Sequence, residues 1–133
     1  MTERFRDGSA FEAKASYSRA ARAGQLVLVS GTAALDGDGQ ALHTGDSYLQ
    51  TQEAIRRAVA AVEALGGTRE DVVRTRLYLV PDAHWPDAVR AHAEAFAGVD
   101  PANTTLYVAG FIPRGVLVEV ELDAVLPSAN AGS

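Results

Sequence analysis

The chain has 133 residues, of which 47% are hydrophobic, and this size suits one compact domain with a substantial core. Its formal net charge of −5 excludes the dense basic surface that nucleic acids and anionic membranes require. The absence of cysteine excludes disulfides, thiolate metal sites and a cysteine nucleophile.

The two ends of the chain set its expected boundaries. Residues 1–12 are charged and lack the apolar region of a signal peptide, and no apolar run approaches the ~18 residues of a membrane span. We therefore expect a soluble cytoplasmic protein with no membrane partner. Residues 1–127 are expected to form one domain, and the small polar residues 128–133 a flexible tail.

The first half of the chain predicts a hairpin, a loop and a helix. Residues 1–10 indicate a short extended segment that ends in a turn. Residues 16–30 contain two strands joined at a Gly-Gln pair, and the second strand is apolar on both faces. The acidic loop over 36–46 lacks the further oxygen ligands of a calcium-binding loop. Over residues 47–65, apolar residues recur at three- and four-residue steps, which predicts a helix.

A strand with two different faces and a second helix follow. In the strand, residues 72–80, alternation predicts one face with Val73, Thr75, Leu77 and Leu79, and another with Val72, Arg74, Arg76, Tyr78 and Val80. The helix spans about residues 84–97. Its predicted core stripe comprises Trp85, Ala88, Val89, His92, Ala95 and Phe96. We interpret His92 as a packing residue, and the histidine spacing does not predict a metal site.

The last stretch, residues 101–125, predicts two strands, 104–111 and 117–125, around a Pro-Arg-Gly connection. The second strand alternates apolar residues with Glu119, Glu121 and Asp123. Three carboxylates on one face repel one another, and the arginines and tyrosine of the strand over 72–80 are their natural complement.

These elements predict an α+β fold, a two-layer sandwich in which a mixed sheet of five or six strands carries both helices on one face. The other face of the sheet is too apolar to be exposed to solvent and too charged to form an ordinary core. We therefore expect this face to be buried against copies of the same chain.

The chain resembles the Rid family of reactive-intermediate deaminases, also called YjgF, in four strings that follow in order: residues 17–39, 71–80, 91–96 and the two ends of 101–125. The resemblance extends over residues 11–126. It implies a chorismate-mutase-like fold and a homotrimer with small-molecule clefts between subunits, without a cofactor or metal. Typical members hydrolyse imines and enamines, such as 2-aminoacrylate, to 2-keto acids and ammonia.

The resemblance also implies site residues. Tyr17, Ser30, Gly31 and Glu119 stand at matching positions. Glu119 is the expected general base or water-positioning group, Ser30 a polarising donor together with backbone amides, and Tyr17 a cleft wall or donor. Each of these residues also has a purely structural interpretation. Tyr17 could be a hydrogen-bonded aromatic residue of a strand, and Ser30 and Gly31 could form the turn that ends a strand. Glu119 could belong to a row of ion pairs with Arg74 or Arg76.

The chain departs from the family at the arginine that binds the substrate carboxylate. Where the family has Pro-Ala-Arg, this chain has Asn103, or Thr104 if a one-residue gap is allowed. Neither side chain can replace a bidentate, permanently charged guanidinium. The candidates to replace it are Arg74, Arg76, Arg90 and Arg114. The alternative for each of these arginines is a surface or ion-pair role.

Two functions stay open from the sequence. The first is a diverged hydrolase that acts on an imine, an enamine or a related small molecule. The second is a non-catalytic trimeric protein that binds a small ligand or has a regulatory role. Ribonuclease activity, once attributed to relatives, is not predicted, because the chain offers neither a histidine pair for acid–base catalysis nor a basic groove.

Overall fold

Six strands form one mixed sheet in the computed structural model of the protein, which describes residues 2–128. The strands are β1 (Thr2–Phe5), β2 (Ala20–Ala23), β3 (Leu26–Thr32), β4 (Val72–Leu79), β5 (Ala102–Tyr107) and β6 (Val118–Val125). The helices are α1 (Ala10–Ala15), α2 (Ser47–Ala64) and α3 (Trp85–Ala95). Residues 129–133, most of the predicted flexible tail, lie outside the described residues.

The strand order is β1-β2-β3-β6-β4-β5. The pairing of β4 with β5 is parallel, and the other pairings in the described sheet are antiparallel. The last strand, β6, therefore lies between β3 and β4, and its long connection from β5 crosses the end of β4. The predicted hairpin is β2–β3. The strand predicted over residues 104–111 begins two residues earlier and ends at Tyr107.

Both long helices cover the same face of the sheet. Side chains of α2 and α3 share one buried cluster with the inward side chains of the central strands. Its strand members include Val27, Val29, Leu77, Leu79, Val118, Val120 and Leu122, and its helix members include Ala54, Ile55, Ala58, Val62, Ala88 and Phe96. The predicted α+β two-layer sandwich is thereby confirmed. No helix within residues 2–128 has the length and apolar character to cross a membrane.

The residues that flank helix α2 determine where it begins and ends. The carboxylate of Asp46 accepts a hydrogen bond from the backbone N–H of Leu49 at 2.9 Å and so caps the first turn. After the helix, Gly66 has a φ of 98°, a conformation that L-residues with a side chain rarely adopt. The helix predicted over residues 47–65 is confirmed to within one residue.

The predicted faces of β4 are wrong at its first two residues. Val72 is 2% exposed and Val73 is 47% exposed, the reverse of the predicted alternation. The register between β4 and β6 shifts between Val72 and Arg74, and an extra residue at such a bulge turns the preceding side chain to the other face. From Thr75 onward the predicted faces are confirmed, because Thr75, Leu77 and Leu79 are buried.

The predicted core stripe of α3 is also partly wrong. Trp85 and Val89 are 54% and 41% exposed. Ala88, Ala91 and Phe96 form the buried stripe instead. The small alanines allow this face of α3 to pack closely against α2 and the sheet. Trp85 and Val89 therefore lie on the side of α3 that faces the edge strand β5.

Helix α1 was not predicted from the sequence. It has six residues and begins with a capping box, in which Ser9 and Glu12 satisfy each other's backbone and side-chain groups. The Ser-x-x-Glu spacing of this box is visible in the sequence. The helix is too short for an apolar periodicity, so hydrophobic patterning gives no signal for it.

Candidate functional site

The acidic row of β6 lies on the open face of the sheet, opposite the helices. Arg76 of β4 pairs with Asp123 across the strands, with Nη1 and Oδ2 3.3 Å apart. The hydroxyl of Tyr78 donates a hydrogen bond to Glu121. This bond is the main reason that the pKa of Tyr78 is raised. Glu121 and Asp123 are therefore held by β4, as the charge pattern of the two strands predicted.

Glu119 differs from the other two carboxylates. Within residues 2–128, no group donates a hydrogen bond to its carboxyl. The side chain is partly buried, and burial raises its pKa above the ordinary 4.5; the negative charge of Glu121 acts in the same direction, while the positive charge of Arg19 opposes it. Among the three carboxylates of the row, Glu119 is the one that accepts no hydrogen bond from the described residues.

Gly31 leaves the space that Glu119 occupies. A Cβ at Gly31 would lie 2.7 Å from Oε1 of Glu119, closer than any real contact. The glycine therefore leaves room for the close approach of this carboxyl, and its backbone conformation does not call for glycine. The structure thus brings together two of the residues that the sequence predicted as site residues.

Arg19 lies behind this pair and was not predicted from the sequence. Its side chain is 9% exposed, and its Nε donates to Asp7 at 3.1 Å. Its Nη1 donates to the carbonyl oxygen of Gly31 at 2.7 Å. The only sequence signal for it is an arginine that interrupts a run of small residues just after Tyr17.

An open cavity of about 370 Å³ lies beside the acidic row. It is lined by Tyr17, Ser18, Ala21, Leu28, Val29, Ser30, Glu121 and Asp123. The predicted site residues Tyr17 and Ser30 are therefore neighbours of the acidic row. The hydroxyl of Ser30 donates to the carbonyl oxygen of Ser18 at 2.8 Å, so a ligand that accepted this proton would replace that bond.

Asn103 and Thr104, the two residues expected from the sequence at the position of the arginine, both lie on β5. The Asn103 amide donates to Oγ1 of Thr75 at 3.0 Å, on the helix side of the sheet. The Thr75 hydroxyl in turn contacts Nε2 of His92 at 2.8 Å. Burial lowers the pKa of His92, which agrees with its predicted packing role. Thr104 stands opposite Arg76 in the parallel register of β4 and β5.

The four candidate arginines occupy different places. Arg76 pairs with Asp123. Arg90 is on α3, in the other layer, where its guanidinium lies 3.7 Å from the centre of the Tyr48 ring. Arg74 is partly buried near the start of β4, and Arg114 is exposed in the connection between β5 and β6. None of the four lines the cavity that contains Tyr17 and Ser30.

A second cavity, of about 490 Å³, lies between α3 and β5. It is lined by Leu79, Trp85, Val89, Asn103, Thr105, Leu106 and Tyr107. The lining has no charged side chain. As for metals, residues 2–128 contain no cluster of three or more His, Asp or Glu side chains that could hold an ion.

Comparison with known proteins gives the family of the chain. Residues 7–126 match the family model described as Endoribonuclease L-PSP. An uncharacterized protein of Streptomyces coelicolor is 41% identical over 121 residues, which are 91% of this chain and 90% of the relative.

Solved structures agree with this match. The crystal structure of a Mycobacterium tuberculosis member of the YjgF/YER057c/UK114 family is 38% identical, with a TM-score of 0.83, over 95% of this chain and all of that one. A Rid-family protein of Yersinia pestis shares the fold at 23% identity, with a TM-score of 0.81, over 95% of this chain and 100% of its own. The chain therefore belongs to the family described as Endoribonuclease L-PSP, also named YjgF or Rid.

Proposed function

We propose that the protein is a diverged hydrolase of imines, enamines or related small molecules, with Glu119 as the general base or water-positioning group. The observation that carries this proposal is the Glu119 carboxyl, which is partly buried and accepts no hydrogen bond within the described residues. Burial raises its pKa, which makes it a better proton acceptor than an ordinary exposed carboxylate.

The proposed reaction needs one water molecule. The imine nitrogen takes up a proton from solvent, and Glu119 takes a proton from water as the water oxygen bonds to the imine carbon, so the product of this step is a neutral carbinolamine. Glu119 then returns its proton to the nitrogen, the C–N bond breaks to release ammonia, and the hydroxyl proton passes to solvent to leave a carbonyl group. An enamine enters the same sequence after protonation on carbon gives its imine. Acid–base groups that act in this way contribute about 10²–10⁴-fold to the rate.

The charges around the site favour a substrate without a carboxylate. Asn103, at the position of the family arginine, is neutral and bonds to Thr75. Arg19 pairs with Asp7 and donates to Gly31, and Arg76 pairs with Asp123. Within one chain, a carboxylate beside Glu119 would therefore meet mainly negative charge. An uncharged imine would not suffer this repulsion.

We further propose that the active cleft lies between the subunits of a homotrimer. The open face of the sheet includes Leu28, which is 47% exposed. Edge strand β5 is exposed along its whole length, with Leu106 and Tyr107 41% and 55% exposed. Apolar surface of this kind favours association. Sedimentation equilibrium at micromolar concentration tests this: three chains are expected, and a monomer would contradict it.

The experiment for the activity compares two substrates. One is 2-aminoacrylate, generated from serine by a dehydratase and followed as pyruvate, and the other is an aliphatic imine without a carboxylate. We expect faster hydrolysis of the uncharged imine, and loss of that acceleration in Glu119→Ala. Glu63→Gln, at an exposed carboxyl of α2, is the matched control. The absence of acceleration on both substrates would contradict the proposed hydrolase.

The alternative is a trimeric protein that binds a small ligand or regulates without catalysis, and the specific observation in its favour is Asn103 in place of the family arginine. Binding of an imine analogue without turnover would select it. The ribonuclease activity named in the family description is not proposed. His92 is partly buried and contacts Thr75, and the net charge of −5 opposes binding to RNA.

A further inference from the structure

We propose that Arg19 is a positioning residue for Glu119: its guanidinium fixes the backbone of Gly31 against the Glu119 carboxyl and provides the fixed positive charge that this carboxyl faces. The effect of Arg19 on catalysis rests on the proposed function. The effect of Arg19 on the position and acidity of Glu119 does not depend on that function.

The guanidinium of Arg19 is held from two sides. Its Nε donates to Oδ2 of Asp7 at 3.1 Å. Its Nη1 donates to the carbonyl oxygen of Gly31 at 2.7 Å and to Oγ1 of Thr32 at 3.3 Å. Because the fork of a guanidinium is planar and rigid, contacts on both sides fix its orientation, which a lysine ammonium cannot reproduce.

The segment before β2 anchors Arg19 in turn. Glu12 is 3% exposed, and its carboxylate accepts from the backbone N–H of Arg19 at 3.0 Å. The same carboxylate accepts from the N–H and the hydroxyl of Ser9 at 2.9 and 2.7 Å. Helix α1 and its capping box thereby tie the N-terminal segment to the buried arginine.

The position of Gly31 depends on this support because the sheet does not fix it. The register between β3 and β6 shifts between Val29 and Thr32, so the residues between them leave the regular ladder. The backbone of Ser30 donates to the carbonyl oxygen of Arg19 at 2.9 Å, and the carbonyl of Gly31 accepts from the Arg19 side chain. The side chain of Arg19 thus holds the Gly31 carbonyl at the point where the ladder with β6 is interrupted.

The groups that face Glu119 come from four elements. The segment before β2 gives Arg19, β3 gives the backbone of Gly31, β4 gives Tyr78 opposite in register, and β6 itself gives Glu121. Arg76, a cation of the same sheet face, is paired with Asp123. Burial and Glu121 raise the pKa of Glu119 and Arg19 opposes them, so loss of Arg19 leaves both raising effects without opposition.

The test is a carbon-13 NMR titration of the Glu119 carboxyl in the full chain without substrate. In Arg19→Gln we expect the titration midpoint of Glu119 to move to higher pH, with a proton affinity about tenfold greater than in the wild type. Arg76→Gln is the matched control, since it removes a cation of the same sheet face, and we expect no comparable move. An unchanged midpoint in Arg19→Gln, or an equal move in Arg76→Gln, would overturn the proposal.

Arg19→Gln leaves the carboxylates of Asp7 and Glu12 without their positive partner and could destabilise the fold. Two further variants allow the proposal to be tested in that case. In the double variant Arg19→Gln with Asp7→Asn, the ion pair is removed as a whole, and the same upward move is expected. In Arg19→Lys the charge is retained without the fork. Here the midpoint is expected near that of the wild type, while the carbonyl carbon-13 resonance of Gly31 moves upfield, because the hydrogen bond from Arg19 to its oxygen is weakened.

A Gly31 carbonyl resonance at its wild-type position in both variants would contradict the positioning role. None of these readouts needs turnover. A protein that hydrolysed no imine would therefore still show the Arg19 effect, and failure of the proposed function is distinguishable from failure of this inference.

Discussion

The carboxyl of Glu119 lies against the α-carbon of Gly31 so closely that a Cβ on Gly31 would stand 2.7 Å from Oε1. The acidic side chain and the glycine come from neighbouring strands, β6 and β3, at the point where the register between the strands shifts. The position of the proposed base is therefore determined by the absence of a side chain across from it.

Replacement of Gly31 by alanine tests this contact. The atom that would be displaced is the end of a flexible side chain, so we expect Gly31→Ala to cost only about 1 kcal/mol in the free energy of unfolding. The displaced carboxyl should lower kcat/KM about 10–100-fold, because a misplacement of about 1 Å has effects of this size. Urea unfolding and initial rates measure the two effects.

Gly37→Ala is the control for this substitution, since a Cβ at Gly37 would meet nothing within 4 Å. We expect it to change neither the stability nor the rate appreciably. Wild-type kcat/KM in Gly31→Ala would show that the position of the Glu119 carboxyl does not matter for the reaction.

Glu119 is expected to reduce stability at neutral pH. Its pKa in the folded state is raised above the ordinary 4.5 by burial, so the folded state binds a proton more tightly than the unfolded state does. Stability therefore falls as the pH rises from the unfolded pKa through the folded one. Glu119→Gln should be more stable than the wild type at pH 7 and no more stable at pH 3.5.

Urea denaturation of both proteins at these two pH values measures the difference. A gap of the same size at both values would exclude the titration of Glu119 as its cause. A less stable variant at pH 7 would show that the carboxylate makes a favourable contact in the folded state.

Glu12 is expected to act in the opposite direction. Burial tends to raise its pKa, but hydrogen bonds with Asp7 and Ser9, with the charge of Arg19, outweigh burial and hold the pKa at about 2. Its contribution is present above the unfolded pKa of 4.5 and is lost as the pH falls toward 2. Burial raises the pKa of the neighbouring Asp7, which offsets part of this effect.

We expect Glu12→Gln to cost about 1–3 kcal/mol at pH 7, because it weakens bonds to buried donors. Its stability should also fall less steeply between pH 4.5 and 2 than that of the wild type. Thermal unfolding across this range measures both effects, with Glu63→Gln as the control. Parallel acid profiles for Glu12→Gln and the wild type would contradict the assignment.

Much of the fold follows from patterns that have a direct physical cause. The alternation of β6 could be predicted because one of its faces is buried, and α2 because its apolar stripe is long and capped. The faces of Val72 and Val73 could not be predicted, because a bulge depends on the strand with which β4 pairs. The orientation of Trp85 could not be predicted either, because the buried side of α3 is the one whose alanines pack most closely.

The candidate site was predictable only in part. Gly31 and Glu119 were identified by resemblance, and the structure places them in contact. Arg19 was missed because its partners, Asp7 and Gly31, are each 12 residues away and carry no periodic signal. No short pattern in a sequence indicates a buried ion pair of this kind.

Restoration of the family arginine tests the proposed change of substrate. Asn103→Arg places a guanidinium on the exposed edge strand β5 but removes the hydrogen bond from Asn103 to Thr75, so we expect it to cost about 0.5–1.5 kcal/mol in the free energy of unfolding. We expect the variant to gain about tenfold or more in kcat/KM for 2-aminoacrylate relative to the uncharged imine. Asn103→Lys is the control, since it adds the charge without bidentate geometry. An unchanged substrate ratio in Asn103→Arg would contradict the role given to this position.

The most direct test of the central claim is the rate of imine hydrolysis by Glu119→Gln, measured with the uncharged imine at pH 7. Glutamine keeps the size of the side chain but cannot accept the proton of the attacking water. The proposed role predicts a fall in kcat of about 10²–10⁴-fold, with the oligomeric state and the fold unchanged. A variant that hydrolyses the imine at the wild-type rate would contradict it.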